Sequence, residues 1–323
     1  MPETLLIRLG EQSADVEYLR LNEAGAPVGA VRRGPLTVAA VEANGRRVVV
    51  LVPTADVLLT QAAVPTGNRQ RVRKAVPFAL EEQLADDVDS QHFALGPRDA
   101  DGQWAVAVVA RARMDDWSAR LHEAGILPDR LIPEALLLPL QPGASSLLLE
   151  ADELLLRDTP WSAQTVAAAA LPALLELLMA RNAAGVDVNV WHCGGDLPAW
   201  LEPESAKIEA CPDGALTLFA RQLVQPSQEV IDLLQGEYSR KEQYGKLWRP
   251  WRAAAALLVA GIVLAGIQHV LALRSLKAES AALRAQIAQT YTQAFPGGRV
   301  VDPRAQMEQQ LKSLRAQRGA GGG

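Results

Sequence analysis

AAAALLVAGIVLAGIQHVLAL, Ala253 to Leu273, carries no charge over 21 residues, and the organisation of the chain follows from it. A helix rising ~1.5 Å per residue would cover about 30 Å here, the thickness of a bilayer's hydrocarbon core. Gln268 and His269 interrupt the run only near its C-terminal end, where polar side chains reach the interface. Trp248, Arg249, Trp251 and Arg252 form an aromatic and cationic collar at its start, so the run reads as a single transmembrane helix anchored there. Arg240, Lys241, Lys246, Arg249 and Arg252 crowd the N-terminal flank, whereas Arg274, Lys277 and Arg284 are spread more thinly beyond the run. The positive-inside rule then places the N-terminus in the cytoplasm.

About 240 of the 323 residues precede this flank, enough for one large or two small domains. Met1 to Gln12 has neither a basic n-region nor a long apolar stretch, so no cleavable signal peptide is expected and the first domain is placed in the cytoplasm. Cys193 and Cys211 would then face a reducing compartment and read as free thiols. The net charge is −5, yet cations gather beside the membrane while carboxylates collect between Glu81 and Asp89. That distribution suits anionic lipid headgroups as a contact, and no nucleic-acid partner is expected.

Before the membrane the pattern is α/β. Strand-like segments cover Leu5 to Leu9, Val16 to Leu21 and, after an Asn44-Gly45 turn, Val48 to Val52, with a helix over Leu36 to Ala43. The order recurs at Leu147 to Glu150 and Leu154 to Arg157, then in a long Ala/Leu-rich helix from about Thr165 to Arg181 and a strand over Val186 to Trp191. Two halves sharing a hairpin, helix, strand order suggest a two-lobed actin-like or ribonuclease-H-like domain, although many α/β proteins contain similar orders.

Between the halves, Val72, Val76, Leu80 and Leu84 recur every four residues along one helical face, and Pro77 kinks this helix or starts a second one. Its charges run basic first and acidic afterwards, opposing the helix dipole. Arg69, Arg73, Glu81, Glu82 and Asp86 are accordingly a candidate partner interface, although a solvated charged face accounts for the same pattern. Beyond the membrane run, Leu273, Leu276, Leu283 and Ile287 fall on heptad-compatible positions, so a short coiled coil is expected, with Leu276, Leu283 and Ile287 as candidate dimer contacts; a solvated linker helix remains the alternative. A second amphipathic pattern follows at Met307, Leu311 and Leu314, and Gly319 to Gly323 has a linker composition.

A catalytic constellation is not legible. The phosphate-cradling Gly-x-x-x-x-Gly-Lys-Ser/Thr is absent. Actin-like ATPases use two glycine- and aspartate-bearing hairpins to approach phosphate, but here the corresponding stretches read Leu9-Gly10-Glu11-Gln12 and Leu149-Glu150-Ala151-Asp152-Glu153. Cys193-Gly194-Gly195-Asp196 is either a remnant nucleoside-contacting turn or a strand-to-helix turn that needs glycine for geometry alone. His192, Cys193 and Cys211 lack metal-ligand spacing, and His92, His122, His192 and His269 have no nucleophile elbow to serve. Neither a cofactor nor a metal is expected, nor is an enzyme; a nucleotide-binding actin-like ATPase is the alternative, and a single-span sensor a third reading.

The stretch Val230-Ile231-Asp232-Leu233-Leu234-Gln235-Gly236-Glu237-Tyr238 resembles an element of the L protein of the bacterial type II secretion system, GspL. Val76-Pro77-Phe78-Ala79-Leu80-Glu81-Glu82-Gln83-Leu84-Ala85-Asp86, followed by His92-Phe93-Ala94, looks like the family's Pro-aromatic-x-Leu-Glu-Glu-x-Leu-Ala helix and its next strand. The resemblance implies a bitopic inner-membrane assembly protein with an actin-like cytoplasmic domain that lacks ATPase activity. It also implies recruitment of the secretion ATPase GspE, pairing with GspM, and contacts with GspF and pseudopilins. The expected division is 1–240 cytoplasmic domain, 241–252 juxtamembrane segment, 253–273 span, 274–318 periplasmic helices and 319–323 glycine-rich end. The family's periplasmic ferredoxin-like domain is expected to be absent, which leaves dimerisation through it in doubt.

Overall fold

The computed structural model describes residues 3–10, 14–64, 68–150, 153–170, 173–174, 176–177, 188–194, 207–225 and 229–294, with 305, 308–309, 311–313 and 315; for 168, 240–256, 291–292 and 294 only the backbone is described. Two units divide the chain, Met1–Tyr244 and Gly245–Gly323.

The first unit begins with β1 (Thr4–Arg8), β2 (Asp15–Leu21), β3 (Pro27–Pro35), α1 (Leu36–Ala43) and β4 (Arg47–Val52). An inserted layer follows: β5 (Val57–Ala62), α2 (Arg69–Leu80), β6 (Gln91–Arg98) and β7 (Trp104–Ala110). Then α3 (Arg111–Glu123) leads back to β8 (Arg130–Pro133). The strands form a sheet of order β3-β2-β1-β4-β8, antiparallel from β1 to β3 and parallel from β1 to β8. β9 (Ser145–Glu150), β10 (Glu153–Thr159), β11 (Ser162–Ala167), β12 (Val188–Cys193) and β13 (Lys207–Ala210) repeat this order as β11-β10-β9-β12-β13, with the same strand directions. α4 (Ala215–Leu223) follows. This duplicated meander with a parallel extension is the two-lobed, ribonuclease-H-like arrangement expected from the repeated order.

Local sequence explains the elements. β4, Arg-Val-Val-Val-Leu-Val, is β-branched and buried from Val48 to Val52, as a central parallel strand requires. In the β9–β10 hairpin the leucines divide by parity: Leu148 and Leu155 enter the main core, while Leu147, Leu149, Leu154 and Leu156 pack a separate cluster with Val188 and Val190 on the other face. The main core crosses both lobes, uniting Leu6 and Val50 of the first with Leu148, Trp161 and Phe219 of the second part of the chain. In the inserted layer, Val72, Val76 and Leu80 of α2 pack on Leu95, Val106 and Val108 of the antiparallel sheet β5-β7-β6.

Two expectations change in detail, and one strand appears that the sequence did not reveal. Thr165 and Val166 are not the start of a helix: they lie in β11, opposite Leu155 and Leu154 of β10, because pairing along the meander outweighs the helix propensity of the alanines that follow. A 3-10 turn occupies Ala168–Ala170, residues 173–174 and 176–177 are helical, and the rest of the expected helix to Arg181 lies outside the described residues. Strand β3 was not legible, since it is largely exposed and shows no buried alternation. Pro77 lies inside α2 without ending it, and Leu84 packs beside the same cluster from beyond a 3-10 turn, Glu81–Gln83.

α5 (Arg240–Ala294) is one continuous helix of 55 residues. Within it the segment Leu257–Thr290 contains a stretch apolar and long enough to cross a membrane. The collar residues Trp248, Arg249, Trp251 and Arg252 fall on its backbone, and Leu276, Leu283 and Ile287 are exposed on it. Of the second amphipathic pattern, Leu311 is helical and exposed, and Met307 and Leu314 lie outside the described residues.

Candidate functional site

Two constellations in the first unit give polar groups structural roles that sequence reading did not assign. The first joins the lobes. Arg8 is the last residue of β1, and Glu150 is the last of β9, so the two occupy equivalent places in the repeated order. The Arg8 guanidinium donates from Nη1 and Nη2 to the two Glu150 carboxylate oxygens, at 3.0 and 2.6 Å, and from Nε to Glu134 Oε2 at 2.6 Å. Glu134 opens the 3-10 turn after β8 and is only 7 % exposed. Glu17 stands 3.6 Å away at the rim, and the Phe219 ring lies 5.5 Å beneath the guanidinium carbon.

Forked, charge-assisted bonds of this kind are strong and fix geometry. Burial pulls the Arg8 pKa down, but Glu134 and Glu150 outweigh it and hold the group well above its ordinary value. One guanidinium faces two hydrogen-bonded carboxylates and a third, Glu17, at the rim, leaving an excess negative charge. Burial accordingly raises the Glu134 pKa, and Arg8 offsets only part of the rise. The adjoining cleft has a volume of about 200 Å³ and is lined by Arg8, Asp15, Glu17, Arg33, Glu134 and Glu153 among others. It is smaller than the roughly 300–1,000 Å³ of typical small-molecule pockets, and its charged groups sum to a negative charge.

The second constellation is a strap, residues 230–238, built from the stretch that carries the family resemblance. Leu233 donates its N–H to the Leu131 carbonyl of β8 at 2.8 Å, and Asp232 Oδ1 accepts from the N–H groups of Leu131 and Leu234 at 3.0 Å each. The buried His92 of β6 donates from Nε2 to the Leu233 carbonyl at 2.8 Å. Burial lowers the His92 pKa to about 4, so at neutral pH the imidazole is uncharged. Gln235 closes a ring with Leu95 of β6, donating to its carbonyl at 2.9 Å and accepting its N–H at 3.3 Å.

Tyr238 completes the strap. Its hydroxyl donates to Asp115 of α3 at 2.8 Å, and its ring meets His92 edge-on, with centroids 4.9 Å apart. Burial and the Asp115 carboxylate push its pKa up to about 12. Two glycines make the path possible. Gly236 takes φ +59° in the turn before Tyr238, and a Cβ on Gly96 would stand 2.8 Å from Ile231 and 2.9 Å from Ala105. Ile231 and Leu233 are fully buried beneath the strap.

The candidate interface residues separate into two groups. Arg69 donates to the Leu95 carbonyl at 2.8 Å and Arg73 to Gln235 at 3.3 Å, so both act within the fold beside the strap. Glu81, Glu82 and Asp86 are exposed, as is Phe78 at 76 %. No cluster of three or more His, Cys, Asp or Glu groups able to hold a metal occurs among the described residues.

A duplicated ribonuclease-H-like domain, its lobes bridged by an arginine fork and its last segment strapped down before a long apolar helix, defines a membrane-attached protein of the two-lobed, actin-like class. Residues 5–241 match the family profile described as type II secretion system (T2SS), protein L, and residues 247–314 match that of the GspL transmembrane domain. The chain belongs to the type II secretion system protein L family, and it is a single-pass inner-membrane component of that system. It is 31 % identical over 272 residues to type II secretion system protein L of Pectobacterium carotovorum subsp. carotovorum, covering 83 % of this chain and 62 % of that protein. It is 29 % identical over 294 residues to the Pseudomonas aeruginosa protein of the same description, covering 91 % and 72 %. The solved cytoplasmic domain of EpsL, an inner-membrane component of the type II secretion system of Vibrio cholerae, superposes with a TM-score of 0.62 at 23 % identity, covering 73 % of this chain and 100 % of that one. Against the Pectobacterium relative, this chain spans about 62 % of the full length.

Proposed function

We propose that the chain is a noncatalytic scaffold of the type II secretion assembly platform: it recruits the secretion ATPase GspE to the inner membrane and couples it to pseudopilus assembly. The N-terminal unit lies in the cytoplasm, and α5 crosses once, with its collar at Trp248, Arg249, Trp251 and Arg252 beside anionic headgroups. The domain limits follow the division 1–240, 241–252, 253–273, 274–318 and 319–323. GspM is a partner, GspF and pseudopilins are further contacts, and the chain pairs with itself through Leu276, Leu283 and Ile287.

The observation that carries the noncatalytic reading is the Arg8 fork. In the two-lobed fold a nucleotide's phosphates sit between the first hairpins of the lobes. Here Arg8 and Glu150, at the bases of those hairpins, are bonded to each other, and the remaining small cleft is net acidic. Such a site repels a polyphosphate. The exposed Glu81, Glu82 and Asp86 after α2, with Arg69 and Arg73 on α2 itself, supply a charged surface for the ATPase partner.

The test is co-purification of the membrane-embedded chain with GspE and GspM, together with titration of Mg-ATP into the chain alone. Capture of GspE at micromolar concentrations without ATP binding is the expected result. Tight Mg-ATP binding would instead favour an ATPase, and failure to capture GspE would sink the scaffold reading.

A further inference from the structure

The second lobe carries a pair of thiols that neither constellation uses. In the parallel ladder of β12 with β13 the last pair is His192 opposite Ala210, and Cys193 and Cys211 each follow by one residue. The Cys211 N–H donates to the His192 carbonyl at 2.8 Å, keeping the two chains together past the end of the ladder. Neighbouring strands run about 4.8 Å apart, within the ~4.4–6.8 Å that separates the Cα atoms of a disulfide. Both cysteines are half-buried against the main core, and their side chains are hydrogen-bonded to each other. On its other side Cys193 pairs with Glu150 of β9, so Glu150, Cys193 and Cys211 form one row across three adjacent chain segments, and that row begins at the Arg8 fork.

We propose that Cys193 and Cys211 are a thiol–disulfide exchange site, closing to an intramolecular disulfide with a low-molecular-weight disulfide such as oxidised glutathione as co-reactant. One cysteine, having lost its proton to water, attacks a sulfur of oxidised glutathione; the new S–S bond is a mixed disulfide, and one glutathione leaves as thiolate. The second cysteine then attacks the protein sulfur of that mixed disulfide and expels the other glutathione. Two cysteine sulfurs are oxidised, the glutathione disulfide is reduced to two thiols, and the two released protons return to them. Burial of both sulfurs, with Glu150 nearby, raises the pKa of each thiol, so the thiolate is scarce and the exchange slow. In a reducing compartment the pair stands open, and it closes when the disulfide pool rises.

Cys193 and Cys211 are the chain's only 2 cysteines, which makes the test direct. The full chain in detergent is equilibrated with glutathione buffers of increasing disulfide content, quenched in acid, alkylated and weighed by mass spectrometry. The expected product is a single chain that has lost two hydrogens, keeps no glutathione and loses both alkylation sites together. Its closure constant should exceed that of the same chain in denaturant by at least about tenfold, because the fold holds the sulfurs together. The Cys193→Ser variant should instead keep one glutathione on Cys211. Two retained glutathiones on the unsubstituted chain, alkylation of both thiols at every ratio, a disulfide between two chains, or a closure constant no greater than in denaturant would each overturn the proposal.

Discussion

Replacing Arg8 by alanine removes three charge-assisted hydrogen bonds and leaves two carboxylates facing each other across the lobes. Glu134, with a side chain 10 % exposed, loses the cation bonded to it, and Glu150, 29 % exposed, recovers some solvation. Breaking a buried ion pair from one side costs about 3–5 kcal/mol. At roughly 2–4 °C per kcal/mol for a unit of this size, the melting temperature should fall by about 6–20 °C. The loss should also depend on pH in a definite direction. Burial already raises the Glu134 pKa in the fold, and losing Arg8 raises it further. An acid whose folded pKa exceeds its unfolded value binds more protons when folded, so stability falls as pH rises through that interval. The difference between R8A and the parent should therefore grow between pH 5 and pH 8. Adding Glu134→Gln to R8A should recover part of the loss, since an amide needs no counter-charge. Melts of the full chain in detergent, followed by tryptophan fluorescence across that range, measure all three variants. A loss below about 1 kcal/mol at pH 7.5, or one that is largest at pH 5, would refute the account of Arg8 as the charge that holds the lobes.

The His92 pKa falls from an ordinary 6.5 to about 4 in the fold, so the unfolded chain binds more protons between these values and stability is lost as pH drops from 6.5 toward 4. The effect is on the order of 3 kcal/mol, and the pH slope of the melting temperature should flatten in His92→Gln. Tyr238→Phe removes the hydroxyl bond to Asp115 and should cost about 1.5–3 kcal/mol in chemical unfolding, with the transition otherwise cooperative. Gly96→Val places side-chain atoms where Ile231 packs; protease cutting near residues 225–240 should speed up markedly, whereas Gly34→Ala, with no heavy atom within 4 Å of its Cβ and no positive φ, should leave that rate unchanged. If Leu276, Leu283 and Ile287 form a dimer seam, changing all three to alanine should convert cross-linked dimers to monomers without altering the melt of the N-terminal unit.

The sequence made some of this legible and hid the rest for physical reasons. The helix read over Leu36 to Ala43 has those observed ends, and the four-residue recurrence marked Val72, Val76 and Leu80 as one buried face. The repeated hairpins were visible because leucine and valine runs are broken by short polar turns. Strand β3 was invisible because it is held by pairing with β2 while most of its side chains face solvent. The helix read from Thr165 failed at its start because local propensity cannot see the partner strand 10 residues earlier, at Leu155. Arg8, Glu134 and Glu150 lie 126 and 142 residues apart in sequence, so no local pattern brings them together. The only signal was the charged residue ending each first strand, where a strand end flanking a turn commonly carries charge. The strap was recognised by its motif, but its role was not: Asp232, Gln235 and Tyr238 are ordinary turn residues until Leu131, Leu95 and Asp115 are placed opposite them.

The strap also imposes an order on biosynthesis. Its partner His92 is separated from Leu233 by 141 residues, the whole second lobe lying between them. At roughly 5–20 residues per second, the seat for Ile231 and Leu233 stays uncovered for about 7–30 s after it leaves the ribosome. The segment that fills it is translated just ahead of the apolar run that begins at Ala253. Closure of the N-terminal unit and delivery of the span to the membrane therefore fall in the same short interval, so a chain stalled between them presents an open apolar seat to chaperones and proteases.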